Sequence, residues 1–455
     1  MSSLDRSTPL DLGTAIATAL NPLRAALREV STVEERGRVT EVLGTLVKAV
    51  GVQATVGELC ELRTRPNSSL RAEVIGFRGG TAILTPFGDI AGLSSEAEVI
   101  RTRRRFAVPI GPALLGRVLD GFGNPIDGRG PISGATLAQV DADPPAALLR
   151  KPVGRVFETG VRAIDALLTM GEGQRVGIVA PVGVGKTTLI GMLARGAQSD
   201  VNVVALIGER GREVGEFLAR TLGPEGLKRS VVVVTTADRP AVERAKCAQV
   251  ATAIAEGFRR EGLHVLLLVD SITRYARALR EVGLASGEAP TRRGFPPSVF
   301  AALPRLLERA GNDDRGAITA FYTLLMEGDE EGDPIAEEMR SLLDGHLVLS
   351  RTQAQAGHFP AIDVLASLSR VMSAIAPAAQ LRASAQVRSW LAKYRDIELL
   401  LQVGEYHKGT DAEADKAIDR MPALREFLRQ PPNEFSSAQS TDAALLKLVG
   451  GQVDG

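Results

Sequence analysis

The segment VGIVAPVGVGKTTLIGMLAR, residues 176–195, carries the chemistry that the rest of the chain must position. An apolar run at 176–179 meets a Gly-rich turn, then Lys186-Thr187-Thr188, then a helical pattern. Strand, loop and helix in that order are the context in which such a turn binds phosphate. Gly183 and Gly185 let backbone N–H groups turn inward at a helix N-terminus. Pro181, Val182, Gly183, Val184, Gly185, Lys186, Thr187 and Thr188 are therefore the candidate phosphate cradle. Lys186 would reach the outer phosphates, and the Thr187 hydroxyl would coordinate Mg²⁺. The generic motif opens on Gly, where this chain has Ala180. A bound nucleoside triphosphate is implied.

Hydrolysis needs a group that orients the attacking water and groups that stabilise the developing charge. The apolar run HVLLLVD ends in Asp270. A carboxylate at the tip of a buried strand can hold Mg²⁺ through its water shell; the alternative is a plain helix cap. A second run, VNVVALIG, opens into Glu209-Arg210-Gly211-Arg212-Glu213. Glu209 is the candidate for polarising the lytic water, against a surface glutamate paired to Arg210 or Arg212.

The elements that must position these groups fall into four stretches. Residues 1–36 place Leu12, Ile16, Leu20, Leu23, Leu27 and Val30 at helical spacing, broken by Asn21-Pro22. This N-terminal helical extension either packs on its own domain or meets a partner. Residues 37–102 alternate short β-rich pieces with Gly, Pro and Asn turns, as a small antiparallel barrel or sandwich does. Arg103-Arg104-Arg105 follow, read as a solvated face. Over 103–372 strands and helices alternate, with VGIVAP, VNVVALIG, RSVVVVTTA, HVLLLVD and AITAFYTLL as strands. Continuous aliphatic runs of this kind suit a parallel sheet buried on both faces. Residues 373–455 are expected to be helical, Thr410 and Glu413 forming a capping box. The fold class is α/β: a P-loop, RecA-like parallel-sheet core with an N-terminal small β-barrel and a C-terminal α-helical domain.

Composition narrows the function classes. Lys and Arg number 54, as do Asp and Glu, so the basic footprint of a nucleic-acid binder is missing and no nucleic-acid partner is expected. Cys60 and Cys247 cannot build a disulfide framework, and four scattered histidines suggest no zinc cluster. No run of eighteen apolar residues and no secretory leader is found, so a reducing cytoplasmic setting is expected.

Longer motifs carry a resemblance. LIGERGREVGEFL, LLLVDSITRYARALREVGLASGEAPTRRGFPPSVFAALPRLLERAG, ITAFYTLLMEGDEEGDPIAEEMRSLLDGHLVLSR and HFPAIDVLASLSRVM closely resemble the type III protein-export ATPases. These include the injectisome and flagellar enzymes, relatives of the catalytic subunit of rotary ATP synthases. The resemblance spans roughly residues 37–430 and accommodates Ala180, which export ATPases commonly carry. It implies ATP and Mg²⁺ as ligands, Glu209 as catalytic carboxylate, Arg210 beside the γ-phosphate and Asp270 as the Walker B acid. Arg370 resembles the arginine finger that reaches a neighbouring subunit's nucleotide, with Arg351 the lesser candidate, and Phe359 is placed against adenine. Implied partners are further copies in a hexameric ring, a stator-like regulatory protein, a central-stalk protein and secretion chaperone–substrate complexes. The export apparatus would hold the enzyme peripherally at the cytoplasmic face of the inner membrane. Loop 287–297 would line the central opening.

Other readings are a rotary synthase catalytic subunit, an RNA-translocating hexameric helicase and an inactive nucleotide-binding subunit. Ala180 and the IGERGREV wording oppose the first, neutral charge the second, and Lys186, Glu209 and Asp270 the third. Between export systems, LTPFGDIAGLSSEAEVI resembles injectisome more than flagellar enzymes.

Overall fold

A computed structural model describes residues 35–65, 68–326 and 332–450, together with Leu20. Apart from Leu20, the N-terminal stripe and the Asn21-Pro22 break lie outside the described residues. Two compact units are present.

The first unit is a closed six-stranded barrel, so the barrel-or-sandwich alternative resolves to a barrel. Its strands are β1 (Arg36–Leu43), β2 (Leu46–Val50), β3 (Glu58–Arg65), β4 (Ser68–Arg78), β5 (Thr81–Pro86) and β6 (Glu98–Arg105). They close in the order β1-β2-β5-β4-β3-β6, and Arg36 opposite Ile100 marks the seam. Closure removes the unpaired sheet edges that would invite aggregation. The interior is small and aliphatic: Val39, Val47, Ala49, Leu62, Val74, Leu84 and Val99 fill it. Arg103, Arg104 and Arg105 are the exposed end of β6.

The second unit is built on a mixed sheet. Its strands lie side by side in the order Ile362–Ser369, Gly345–Leu349, Arg175–Pro181, Ala317–Met326, His264–Asp270, Val201–Glu209, Ser230–Thr236 and Val118–Asp120. Neighbours along this path are parallel except the first pair. All nine residues of Val201–Glu209 are buried, as expected of a strand covered on both faces. The three strands that hydropathy does not announce are Val118–Asp120, Gly345–Leu349 and Ile362–Ser369. The last two alternate buried with part-exposed residues, so no continuous apolar run marks them.

Three long helices follow: Ala378–Val403, Ala412–Leu428 and Ala438–Val449. The expected Thr410–Glu413 capping box is not formed. Asp411 caps the second helix instead, accepting from the Glu413 and Ala414 backbone N–H groups, while the Thr410 hydroxyl turns to His407 O (2.7 Å). Asp is as good an N-cap as Thr, and one residue of offset lies within what sequence resolves. These helices share a core with the sheet: Val387, Leu424, Phe427 and Leu445 belong to the same apolar cluster as Val176, Ile178 and Phe321. Arg388 secures the edge strand by donating to the carbonyl of Val364 at 2.8 Å.

Because Leu424 is fully buried in this shared core, Leu424→Ala should lower unfolding free energy by about 2–5 kcal/mol. Chemical denaturation should show one transition shifted as a whole. A separate early transition, with the rest unchanged, would mean the helices fold apart from the sheet.

Candidate active site

Parallel strands deliver their last residues to one edge of a sheet, which is where open α/β sheets build sites. Here Arg175–Pro181 runs into the Gly-rich turn, His264–Asp270 ends in Asp270, and Val201–Glu209 ends in Glu209. Ala317–Met326 lies between the first two and supplies Thr323.

Gly183 and Gly185 take φ values of 84° and 89°, a region open to glycine and strained for other residues. Gly185 begins the helix Lys186–Gly196, whose first turn holds no acidic side chain. Its exposed N–H groups and positive dipole end are left for an anion. Val184 is buried and anchors the turn, while Val182 and the side chains of Thr187 and Thr188 face outward.

The side chains converge on a compact charge cluster. Lys186 Nζ is ion-paired with Asp270 Oδ1 and stands 3.7 Å from Glu209 Oε1. The Thr323 hydroxyl donates to the same Asp270 oxygen at 2.7 Å. Arg274, from the helix Ile272–Ala285, pairs with Glu209 Oε1 and reaches the carbonyl of Ile207 at 3.4 Å. Both acids are buried, with 3% and 8% of their surface exposed, so each depends on a cation. Burial, the negative charge of Asp270 and a hydrogen bond with Glu213 push the Glu209 carboxyl up to about 7, against the pull of Lys186 and Arg274. The hydrogen bond with Glu209 holds Glu213 below the usual range.

The surface-pair alternative for Glu209 does not hold. Arg210 is paired with Glu213 at 3.6 Å and Arg212 with Glu216 at 3.5 Å, both well exposed. Arg210 is thus not brought into the cluster; it stands at the start of the helix Gly211–Glu216, drawn outward by Glu213. Arg274 occupies the position beside Glu209, a partner that spacing alone does not announce. The signal lies in the helix that follows Asp270: four residues beyond a strand-end acid, a helix brings a side chain back over the sheet edge. Phe359 lies over the turn, since a Cβ placed on Gly185 would stand 3.3 Å from its ring.

Arg351 and Arg370 fall at opposite edges of the sheet. Arg351 opens the exposed helix Arg351–Gln355, directly after the strand Gly345–Leu349 and at the edge that holds the turn. Ser369 pairs with Gly345, and His346 pairs with Gly177, so Arg370 sits level with the start of the Arg175–Pro181 strand. At about 3.3 Å per residue, that is roughly 20 Å from the phosphate cradle of its own chain.

Among the described residues no group of three or more His, Cys, Asp or Glu could cage a metal. A hydroxyl and one strand-end carboxylate are hard oxygen donors that suit Mg²⁺, which is usually held by one or two carboxylates plus substrate phosphates. Thr187 and Asp270 fit that ion and fit zinc poorly.

The whole chain can be compared with known proteins. Residues 160–369 match the ATP synthase alpha/beta family nucleotide-binding domain, and residues 39–103 match that family's beta-barrel domain. Residues 376–447 match the T3SS EscN ATPase C-terminal domain. The type 3 secretion system ATPase of Xanthomonas euvesicatoria is 58% identical over 418 residues, 91% of this chain and 95% of the relative. The chain belongs to the type III secretion ATPases. A second member, from Sinorhizobium fredii, is 54% identical over 96% of this chain and 97% of its own. The flagellum-specific ATP synthase of Bacillus subtilis is 46% identical over 91% of this chain and 95% of its own. Assembled EscN of the enteropathogenic E. coli type III secretion system superposes with a TM-score of 0.86 at 48% identity, over 91% of this chain and 100% of that one. EscN in complex with its central stalk EscO gives 0.84 at 47% identity, again over 91% and 100%. The P-loop core, six-stranded barrel and C-terminal helices of this secretion ATPase are those of its family.

A buried carboxyl raised to about 7 keeps its proton in the folded chain over a range in which the unfolded chain has released it, so folding loses stability as pH rises across that range. Its contribution is fully present below about 4.5 and lost as pH rises through about 7. Relative to Glu209→Gln, the protein without nucleotide should therefore lose about 3 kcal/mol between pH 4.5 and pH 8. Denaturation of both proteins across that range checks this; a pH-independent difference would contradict the cluster's electrostatics.

Proposed function

We propose that this ATPase hydrolyses MgATP to energise type III protein export in an injectisome, releasing substrates from chaperones and delivering them unfolded to the export channel. The observation that carries the reading is the meeting of Lys186, Glu209 and Asp270 at the edge where the parallel strands end. Relatives named for type 3 secretion range from 46% to 58% identity and those named flagellum-specific from 46% to 48%; the three above 50% are all of the first kind, which supports an injectisome over the flagellar alternative.

In this reading the turn 181–185 wraps the phosphates with backbone N–H groups, and Phe359 stacks against the adenine. Lys186 exchanges Asp270 for the outer phosphates. Thr187 and Asp270 would hold Mg²⁺, which would supply positive charge to offset that on the transferring group. Glu209, ionised, orients the attacking water and takes up its proton, while Arg274 fixes the carboxylate. Arg210 meets the γ-phosphate by leaving Glu213. Arg370 serves the nucleotide of a neighbouring subunit, because its own cradle lies across the sheet.

A finger given in trans requires assembly, and a hexameric homo-oligomer is the ring we propose. The EscN–EscO complex supports a central-stalk partner for this chain. A stator-like regulator and chaperone–substrate complexes complete the proposed set. No helix among the described residues is long and apolar enough to cross a membrane. Attachment to the export apparatus would therefore be peripheral, at the cytoplasmic face of the inner membrane.

Glu209→Gln preserves shape and removes the charge that polarises water. ATP binding should persist while turnover falls on the order of 10²–10⁴-fold. Equilibrium nucleotide binding beside a phosphate-release assay measures both, and near-parental turnover would remove Glu209 from the catalytic role.

A further inference from the structure

The finger residue is tied, through its own chain, to the strand that feeds its own phosphate cradle. The Arg370 backbone N–H donates to Asp344 O at 3.0 Å, and its guanidinium donates to the carbonyl of Arg340 at 3.2 Å. Arg340 stands near the end of the helix Pro334–Leu342, and Asp344 lies in the turn between that helix and the strand Gly345–Leu349. Both carbonyls that hold Arg370 thus belong to one short segment, 340–344.

That segment is clamped to Arg175. The Arg175 guanidinium grips the Asp344 carboxylate with two hydrogen bonds, 3.0 Å to Oδ2 and 3.1 Å to Oδ1. The Arg175 backbone N–H donates to Oδ2 at 3.1 Å, and Asp344 N–H returns a bond to Arg175 O at 2.9 Å. Beside it, the buried Gln174 side chain donates to Asp344 O at 3.0 Å and to Ser369 Oγ at 3.3 Å. Arg175 is the first residue of the strand whose far end opens into the phosphate-binding turn. A two-pronged guanidinium–carboxylate grip fixes direction as well as distance, which a single ion pair does not.

We propose that Asp344 is a positioning residue for the arginine finger. Its carboxylate locks segment 340–344 to Arg175, so the Arg370 guanidinium is aimed from the same strand that carries the subunit's own nucleotide. Each subunit's occupied cradle is thereby mechanically joined to the finger it offers its neighbour. This rests on the proposed trans role of Arg370.

The test is complementation between variants that fail for different reasons. Lys186→Ala has no working cradle but an intact finger. Arg370→Ala has the reverse, and Asp344→Asn is expected to behave like it. Alone, Asp344→Asn should bind nucleotide within twofold of the parent yet turn over ATP about 10–10²-fold more slowly, the cost of displacing a catalytic group by about an ångström. Mixed with Lys186→Ala at assembling concentration, it should hydrolyse ATP severalfold faster than either protein alone. Asp344→Glu, which restores a carboxylate, should recover part of the loss without a partner. If Arg370→Ala complements Lys186→Ala and Asp344→Asn does not, Asp344 has no part in aiming the finger. If neither complements, the trans reading of Arg370 fails first. Arg175→Lys keeps the charge and loses the two-pronged grip; it carries the same mixing test should Asp344→Asn fail to bind nucleotide, and absence of rescue there overturns the proposal.

Discussion

Two buried carboxylates facing two cations set the terms for everything else in the second unit. Asp270 and Glu209 could not both be ionised in a closed apolar sheet edge without Lys186 and Arg274. Removing one partner would strand a charge; in the proposed mechanism a triphosphate would offer Lys186 a stronger anion and leave Asp270 for a metal ion. The cost of the cluster is visible in Glu209, whose carboxyl is pushed up to about 7 by burial and by the neighbouring Asp270. A group so poised holds or gives up its proton near neutrality, which suits a base that must work through a water molecule.

Sheet topology divides the proposed chemistry between two edges. Cradle, acids and Arg274 collect where the parallel strands end; Arg370 stands where they begin, because the last strand runs antiparallel to its neighbour. One reversed strand therefore places Arg370 at the sheet edge opposite its own cradle, and under the proposed trans role two copies would complete the site. The C-terminal helices contribute to this arrangement by packing on that last strand and entering the common core.

Much of this was legible in the residues alone. The phosphate turn announces itself through its glycine spacing, while Asp270 and Glu209 stand out as strand-end acids whose alternatives, a helix cap and a surface pair, spacing alone leaves open. The five central strands read as apolar runs because both their faces are covered. What escaped was relational. Arg274 is one arginine among many until the helix after Asp270 brings it back over Glu209. Thr323 is hidden inside an apolar strand and gains meaning only from its neighbour. The edge strands were missed because partial exposure interrupts their hydropathy, and with them went the knowledge that Arg370 lies across the sheet from its own cradle. The capping box failed for a local reason: Asp411, one residue further on, offers the same backbone groups an equally good acceptor.

The central claim is that one chain holds only part of a working site. The most direct measurement is the specific ATPase activity of the intact protein as concentration rises through its assembly range, with mass determined on the same samples. The account predicts weak turnover by the monomer and a rise that follows the assembled fraction. Equal specific activity in monomer and assembly would contradict it.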